Sequence, residues 1–162
     1  MRPRASLPTG PDIGRRVAGG RRTLRGSTWA LLSVVAAGGV IGAWGRTALS
    51  LAWPHRPGGF PWATFVINVS GCLLIGVLMV LITEVWSAHR LLRPFLGVGV
   101  LGGYTTFSTY AVDVRQLAAA GAAWTGLLYL AGTLLAALAA VYLGIAGARL
   151  VTSSRRGRKE RR

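Results

Sequence analysis

The sequence predicts an all-α integral membrane protein of four transmembrane helices, the third of them broken. Three observations lead there. Apolar residues make up 52% of the 162 positions and charged residues 14%, where a water-soluble domain carries roughly a quarter charged. The charge is lopsided, nineteen bases against four acids, and it is pushed to the ends: seven arginines precede residue 26, seven bases follow residue 148, and five lie between. The apolar middle divides into four stretches of the length, about 20 residues, that crosses hydrocarbon as a helix.

The elements follow in order. Residues 1–28 form a basic tail, rich in Arg, Gly, Pro and Ser and expected to be disordered. The first span covers 29–51 and is interrupted only by Arg46. Pro54, Pro57-Gly58-Gly59 and Pro61 mark a turn, and the second span covers 60–86. A short connection from His89 to Pro94 precedes the third span, 95–117, whose centre is polar. The fourth, 122–148, holds no charge, and 149–162 form a second basic tail. Lipid offers backbone groups no partner, so each span is expected to be helical.

Four crossings put both termini and the second loop on one side. That side carries sixteen bases, against Arg56 and Arg115 on the other, so the positive-inside rule predicts both termini in the cytoplasm of a plasma-membrane protein. The pairs Arg15-Arg16 and Arg21-Arg22 before an apolar run also fit a twin-arginine export signal. That run is too long for a signal core, however, and three more spans follow. The tails suit anionic lipid headgroups; no aromatic interleaving or folded module points to nucleic acid.

Composition also excludes chemistry. One cysteine, Cys72, makes no internal disulfide. His55 and His89 stand in no metal-ligand spacing, and neither a P-loop nor GxSxG occurs. Glu84 and Asp113, the two acids of the apolar region, give paired-carboxylate catalysis little to work with. An enzyme is not expected.

Polar groups at membrane depth are costly and mark function by default. Asn68 lies near the middle of the second span, with Thr64 one turn before it and Ser70-Gly71 just after. A lone intramembrane Asn can simply hold helices together; its two amide N–H donors also suit a buried anion. The third span reads Gly102-Gly103-Tyr104-Thr105-Thr106-Phe107-Ser108-Thr109-Tyr110. Paired glycines followed by β-branched and hydroxyl residues make a poor continuous helix. A helix broken at that depth exposes carbonyls suited to a cation at one end and N–H groups suited to an anion at the next start. The bland alternative is a packing face, since Gly99/Gly103 and Gly38/Gly42 are both GxxxG pairs. Phe107 and Tyr110, three apart, would share a face, and the positive edge of an aromatic ring can meet an anion without the full charge that would trap it.

At these residues the chain resembles the fluoride channel family (Fluc, also called CrcB). Gly39-Val40-Ile41-Gly42-Ala43-Trp44-Gly45-Arg46 resembles its GGxxGAxxR. Thr64-Phe65-Val66-Ile67-Asn68-Val69-Ser70-Gly71 resembles TxxVNxxG, with Ile67 for the usual valine. The run from Gly102 to Tyr110 resembles GGxTTFSTF, with Asp113 where an acid usually follows. About 110 residues are covered, both tails excluded. The resemblance implies an antiparallel, dual-topology-type dimer with two narrow fluoride pores, exporting fluoride passively to limit its toxicity. It implies that Asn68 donates to the ion and that Phe107 and Tyr110 supply ring edges. Carbonyls of Gly102 and Thr105 from both subunits would hold a structural sodium ion. Hydroxyls of Thr106, Ser108 and Thr109, with Tyr129 and Thr133 of the fourth helix, would continue the polar path, and Arg46 would draw anions in. Tyr110 departs from the family's second phenylalanine; its hydroxyl could occlude the pore or serve as another donor.

Two further expectations arise from charge. An antiparallel homodimer needs each copy to insert either way, and a sixteen-to-two bias opposes that. The partner is therefore either a second copy or a related chain of opposite orientation. The main rival function, a small four-helix proton-coupled drug exporter, needs a carboxylate in the first span, which has none. A non-transporting assembly or lipid-binding protein leaves Asn68 and the run from Gly102 to Tyr110 unexplained.

Overall fold

The computed structural model describes the backbone of residues 12–54, 58–85 and 90–160, and the side chains of 28–54, 58–84 and 90–153. The chain divides into two units, Met1–Ser33 and Val34–Arg162. In the first, the side chains from Thr28 to Ser33 are exposed. Among the described residues everything regular is helical: α1 (Asp12–Ala52), α2 (Trp62–Val80), α3 (Gly102–Tyr104), α4 (Phe107–Ala119) and α5 (Ala123–Glu160), with no strand. Two π-helical segments, Leu81–Val85 and Pro94–Leu101, extend α2 and lead into α3.

Three uninterrupted helical stretches are long and apolar enough to cross a bilayer: Thr28–Ala52, Trp62–Glu84 and Ala123–Ser153. They coincide with the first, second and fourth expected spans. The expected third is in two pieces, as its composition predicts. The break does not fall on the glycines. Gly102 and Gly103 are helical, and the chain opens at Thr105 (φ −77°, ψ 157°) and Thr106 (φ −149°, ψ 122°) before α4 begins. α1 starts at Asp12 and α5 ends at Glu160, so both helices run into segments read from sequence as tails. Residues 1–11 and 161–162 of those tails lie outside the described residues, as do the side chains of 12–27 and 154–160.

The glycines serve close approach instead. A Cβ on Gly42 would strike the Val100 carbonyl, and one on Gly103 the Gly39 carbonyl; Gly38 and Gly99 face each other in the same seam. Backbone therefore meets backbone between α1 and the half-helix at 94–104, as small-residue packing in lipid requires. α2 and α5 cross likewise, Gly76 against the Val141 carbonyl and Gly144 against the Leu73 carbonyl. Few large side chains are wholly enclosed. Ile67 and Tyr129 are, together with Pro61 at the head of α2. Most large apolar side chains face outward, Trp44, Trp124 and Leu135 among them, which is tolerable only where the surroundings are themselves apolar.

Candidate functional site at the helix break

Opening a helix frees N–H and C=O groups that must find partners elsewhere. Asn68 of α2 supplies them. Its Nδ2 donates to the Thr106 carbonyl at 3.0 Å, and the Thr106 N–H donates to its Oδ1 at 2.9 Å. The carboxamide thus stands in for a peptide group and pairs with one residue in both directions. One of its two N–H donors is used; the second remains for another acceptor. Of the two roles open from sequence, Asn68 fills that of glue here and keeps one N–H to give.

Thr106 also starts α4. Its Oγ1 accepts the Thr109 N–H at 3.1 Å, donates to Thr109 Oγ1 at 3.0 Å and lies 3.3 Å from Ser108 Oγ. That is an N-cap, with three hydroxyls gathered at the positive end of the second half-helix. On the other side of the break the Thr105 N–H donates to the Leu101 carbonyl at 3.0 Å. Arg46 Nη1 points at the Thr105 carbonyl from 3.4 Å, longer than the usual ~2.9 Å. Neutral carbonyls suit a hard cation, and a cationic group already addresses this one. Gly102 and Thr105 therefore fit such an ion in kind. Two oxygens alone fall well short of the roughly six or more that a hard cation gathers.

Phe107 and Tyr110 lie with ring centroids 5.8 Å apart at 49°, as their spacing predicts, and Phe107 is 80% exposed. Asn68, Thr106, Phe107, Tyr110 and Thr133 line one open cavity of about 420 Å³. Tyr129 lies behind it, 5.2 Å from Tyr110 between ring centroids and fully buried. The Tyr110 hydroxyl donates to the Leu130 carbonyl of α5 at 2.7 Å. The eleven residues singled out from sequence are therefore not all equivalent: Gly102, Thr105, Thr106, Asn68 and Arg46 meet at the break, Ser108 and Thr109 lie in the first turn of α4 beside its cap Thr106, Phe107, Tyr110 and Thr133 line the cavity, and Tyr129 stands one layer away.

Two groupings were not assigned roles from sequence. Tyr129 donates to Asp113 Oδ2 at 3.2 Å and also meets Thr64, and both partners are buried. The signals were present, since Thr64 precedes Asn68 by one turn and Asp113 follows Tyr110 by three residues. The Ser70 and Tyr104 hydroxyls, 3.0 Å apart, join α2 to α3; a serine and a tyrosine 34 residues apart carry no such signal.

Apolar helices of spanning length and, among the described residues, a pair of half-helices with a part-buried carboxamide held at the break between them define a polytopic helical membrane protein with a discontinuous helix. The chain belongs to the CrcB family: the family model described as "CrcB-like protein, Camphor Resistance (CrcB)" matches residues 33–145. It is similar to the fluoride-specific ion channel FluC 2 of Nocardia farcinica, 58% identical over 127 residues, 78% of this chain and 91% of that one. It is also similar to FluC 1 of Streptomyces coelicolor, 57% identical over 143 residues, 88% of this chain and 93% of that one. The FluC channel of Rhodospirillum centenum is 40% identical over 117 residues, 72% of this chain and 93% of its own length.

Proposed function

We propose that this protein is a fluoride-selective ion channel through which cytoplasmic fluoride leaves down its gradient. The observation that carries the reading is Asn68, held against the break with one N–H still to give, in a cavity it shares with the rings of Phe107 and Tyr110. Fluoride is a small, strongly accepting anion, and only close donors can replace its water. An amide N–H, hydroxyls and ring edges supply such contacts without a full positive charge, so the ion can also leave. Thr106, Ser108 and Thr109 lie beside this path; Tyr129 and Thr133 continue it along α5, and Arg46 raises the local anion concentration.

The half-helices at 94–104 and 107–119 together make the fourth crossing. The second subunit packs antiparallel on the cavity face, where Phe107 is exposed, and its carbonyls complete a sodium shell begun by Gly102 and Thr105. The channel sits in the plasma membrane with both termini in the cytoplasm. The charge bias favours a related chain of opposite orientation over a second copy.

The test is fluoride efflux from liposomes bearing the purified protein, followed with a fluoride electrode after a potassium ionophore is added. Fluoride should leave rapidly and chloride should not, and Asn68→Ala should abolish the flux. Absence of fluoride efflux even with an opposite-orientation partner co-reconstituted would sink the reading.

A further inference from the structure

Two hydrogen-bonded rungs join α2 to the broken helix, in antiparallel register. Asn68 pairs with Thr106. Two residues on along α2, and two back along the broken helix, the Ser70 and Tyr104 hydroxyls lie 3.0 Å apart. The rungs straddle Thr105, where the backbone leaves the helix; Tyr104 closes the first half-helix and Thr106 caps the second. In a continuous helix the Thr106 N–H would return to the Gly102 carbonyl; here it goes to Asn68.

The direction of the Ser70–Tyr104 bond follows from the number of protons. Ser70 has one to give. Its Oγ lies 2.6 Å from the Val66 carbonyl and 3.2 Å from that of Ile67, and neither carbonyl can donate. The serine proton therefore goes back to its own helix, and the Tyr104 phenol donates to Ser70. The Tyr104 ring is seated between glycines. A methyl added at Gly71 of α2 would lie 3.5 Å from its Cδ1, and one at Gly45 of α1 3.6 Å from its Cδ2. A ring so held aims its hydroxyl at α2.

We infer that Tyr104 is the positioning residue of this site, its hydroxyl the second rung of a clamp that keeps the break open and in register. Asn68 alone grips a single residue, about which the two half-helices can still swing. Tyr104 ties down the other side of the opening. Thr105 and Thr106 then stay off the helical path, Thr106 stays on Asn68, and the spare N–H of Asn68 keeps one direction in the cavity. A small anion that must be met closely needs that fixed direction, whereas a looser site also admits a larger one. This deepens the fluoride reading and rests on it.

The donor direction separates positioning from simple support. Tyr104→Phe keeps the seated ring and leaves Ser70 satisfied on its own helix, so it should melt near the unsubstituted protein. Ser70→Ala strands a part-buried phenol and should melt lower. Both lack the same rung. Both should therefore lose fluoride flux equally, by about threefold to tenfold, and both should raise chloride flux relative to fluoride. The double variant should lose no more flux than either single one.

Fluoride and chloride efflux from liposomes, run beside thermal melting of the four proteins, decides it. Losses of flux that follow the melting order with an unaltered fluoride-to-chloride ratio would make the bond a support only and overturn the positioning role. So would unchanged flux in Tyr104→Phe, or losses that multiply in the double variant. Each of these results leaves the fluoride reading standing. An unsubstituted protein that conducts no fluoride beside its partner would overturn both.

Discussion

Asn68 shows what a single side chain can contribute in a medium without water. Its carboxamide makes the two backbone contacts that the break at Thr106 would otherwise lack, and an unpaired buried backbone group costs about 1–3 kcal/mol. Asn68→Asp separates the parts of that role. The carboxylate still accepts from the Thr106 N–H but has nothing to donate, and it places negative charge on an anion path. Fluoride flux should fall at least about tenfold to a hundredfold, and thermal unfolding in detergent should show a loss of about 1–3 kcal/mol. A variant that conducts normally would show that the amide N–H does not meet the ion. The importance of Asn68 was legible in the sequence because an amide at membrane depth is expensive. Its partner was not: which residue meets Asn68 depends on how α2 and α4 are rotated. Hydropathy does not encode that rotation when helix faces toward lipid are as apolar as faces toward protein. The Tyr110–Leu130 and Tyr129–Asp113 contacts were hidden for the same reason.

At the scale of elements, length and apolarity were enough to locate α1, α2 and α5, and poor helix formers were enough to foresee a break. The opening falls inside the run from Gly102 to Tyr110 named from sequence, at its β-branched residues and not at its glycines, which in close-packed helices act as spacers. Gly103 is helical and lets α1 approach; the opening falls on two β-branched residues, and the hydroxyl of the second, Thr106, takes the Thr109 N–H in place of a backbone carbonyl. The π-helical turns at Leu81–Val85 and Pro94–Leu101 left no mark in the sequence, since one extra residue per turn is settled by packing. The seam makes a paired prediction. Gly42→Ala drives a methyl into the Val100 carbonyl and should lower stability by about 1–3 kcal/mol, the usual cost of overpacking. Gly39→Ala meets open space and should be neutral or stabilising by up to about 1 kcal/mol through helix propensity. Thermal melting of both variants checks this; equal effects would mean that the seam is not close-packed.

For the whole molecule, charge distribution matters more than any contact. On the four-crossing reading, sixteen bases fall on one side of the membrane and two on the other, a strong orientation signal. Apart from Glu84, which pairs with Arg149 at 2.9 Å, the membrane region holds little negative charge to offset it. With Cys72 replaced by serine, a cysteine added to either tail should react with an impermeant maleimide only after the cells are permeabilised. Equal labelling before and after would mean that the chain inserts both ways and can pair with itself. Replacing the tail bases with glutamine should produce that mixed labelling.

The pairing of Asn68 with Thr106 also bears on how the chain is made. Residues 94–119 contain an opening whose polar groups are matched by a side chain of α2, some forty residues earlier. Leaving the ribosome, this segment meets the insertion machinery already needing a partner, and α2 is the nearest source of one. The expected outcome is sequential biogenesis: the discontinuous segment should enter the bilayer alongside α2 and lag or fail when α2 lacks its amide. Glycosylation mapping of nascent chains truncated after residue 122, with and without Asn68→Ala, would read that dependence directly.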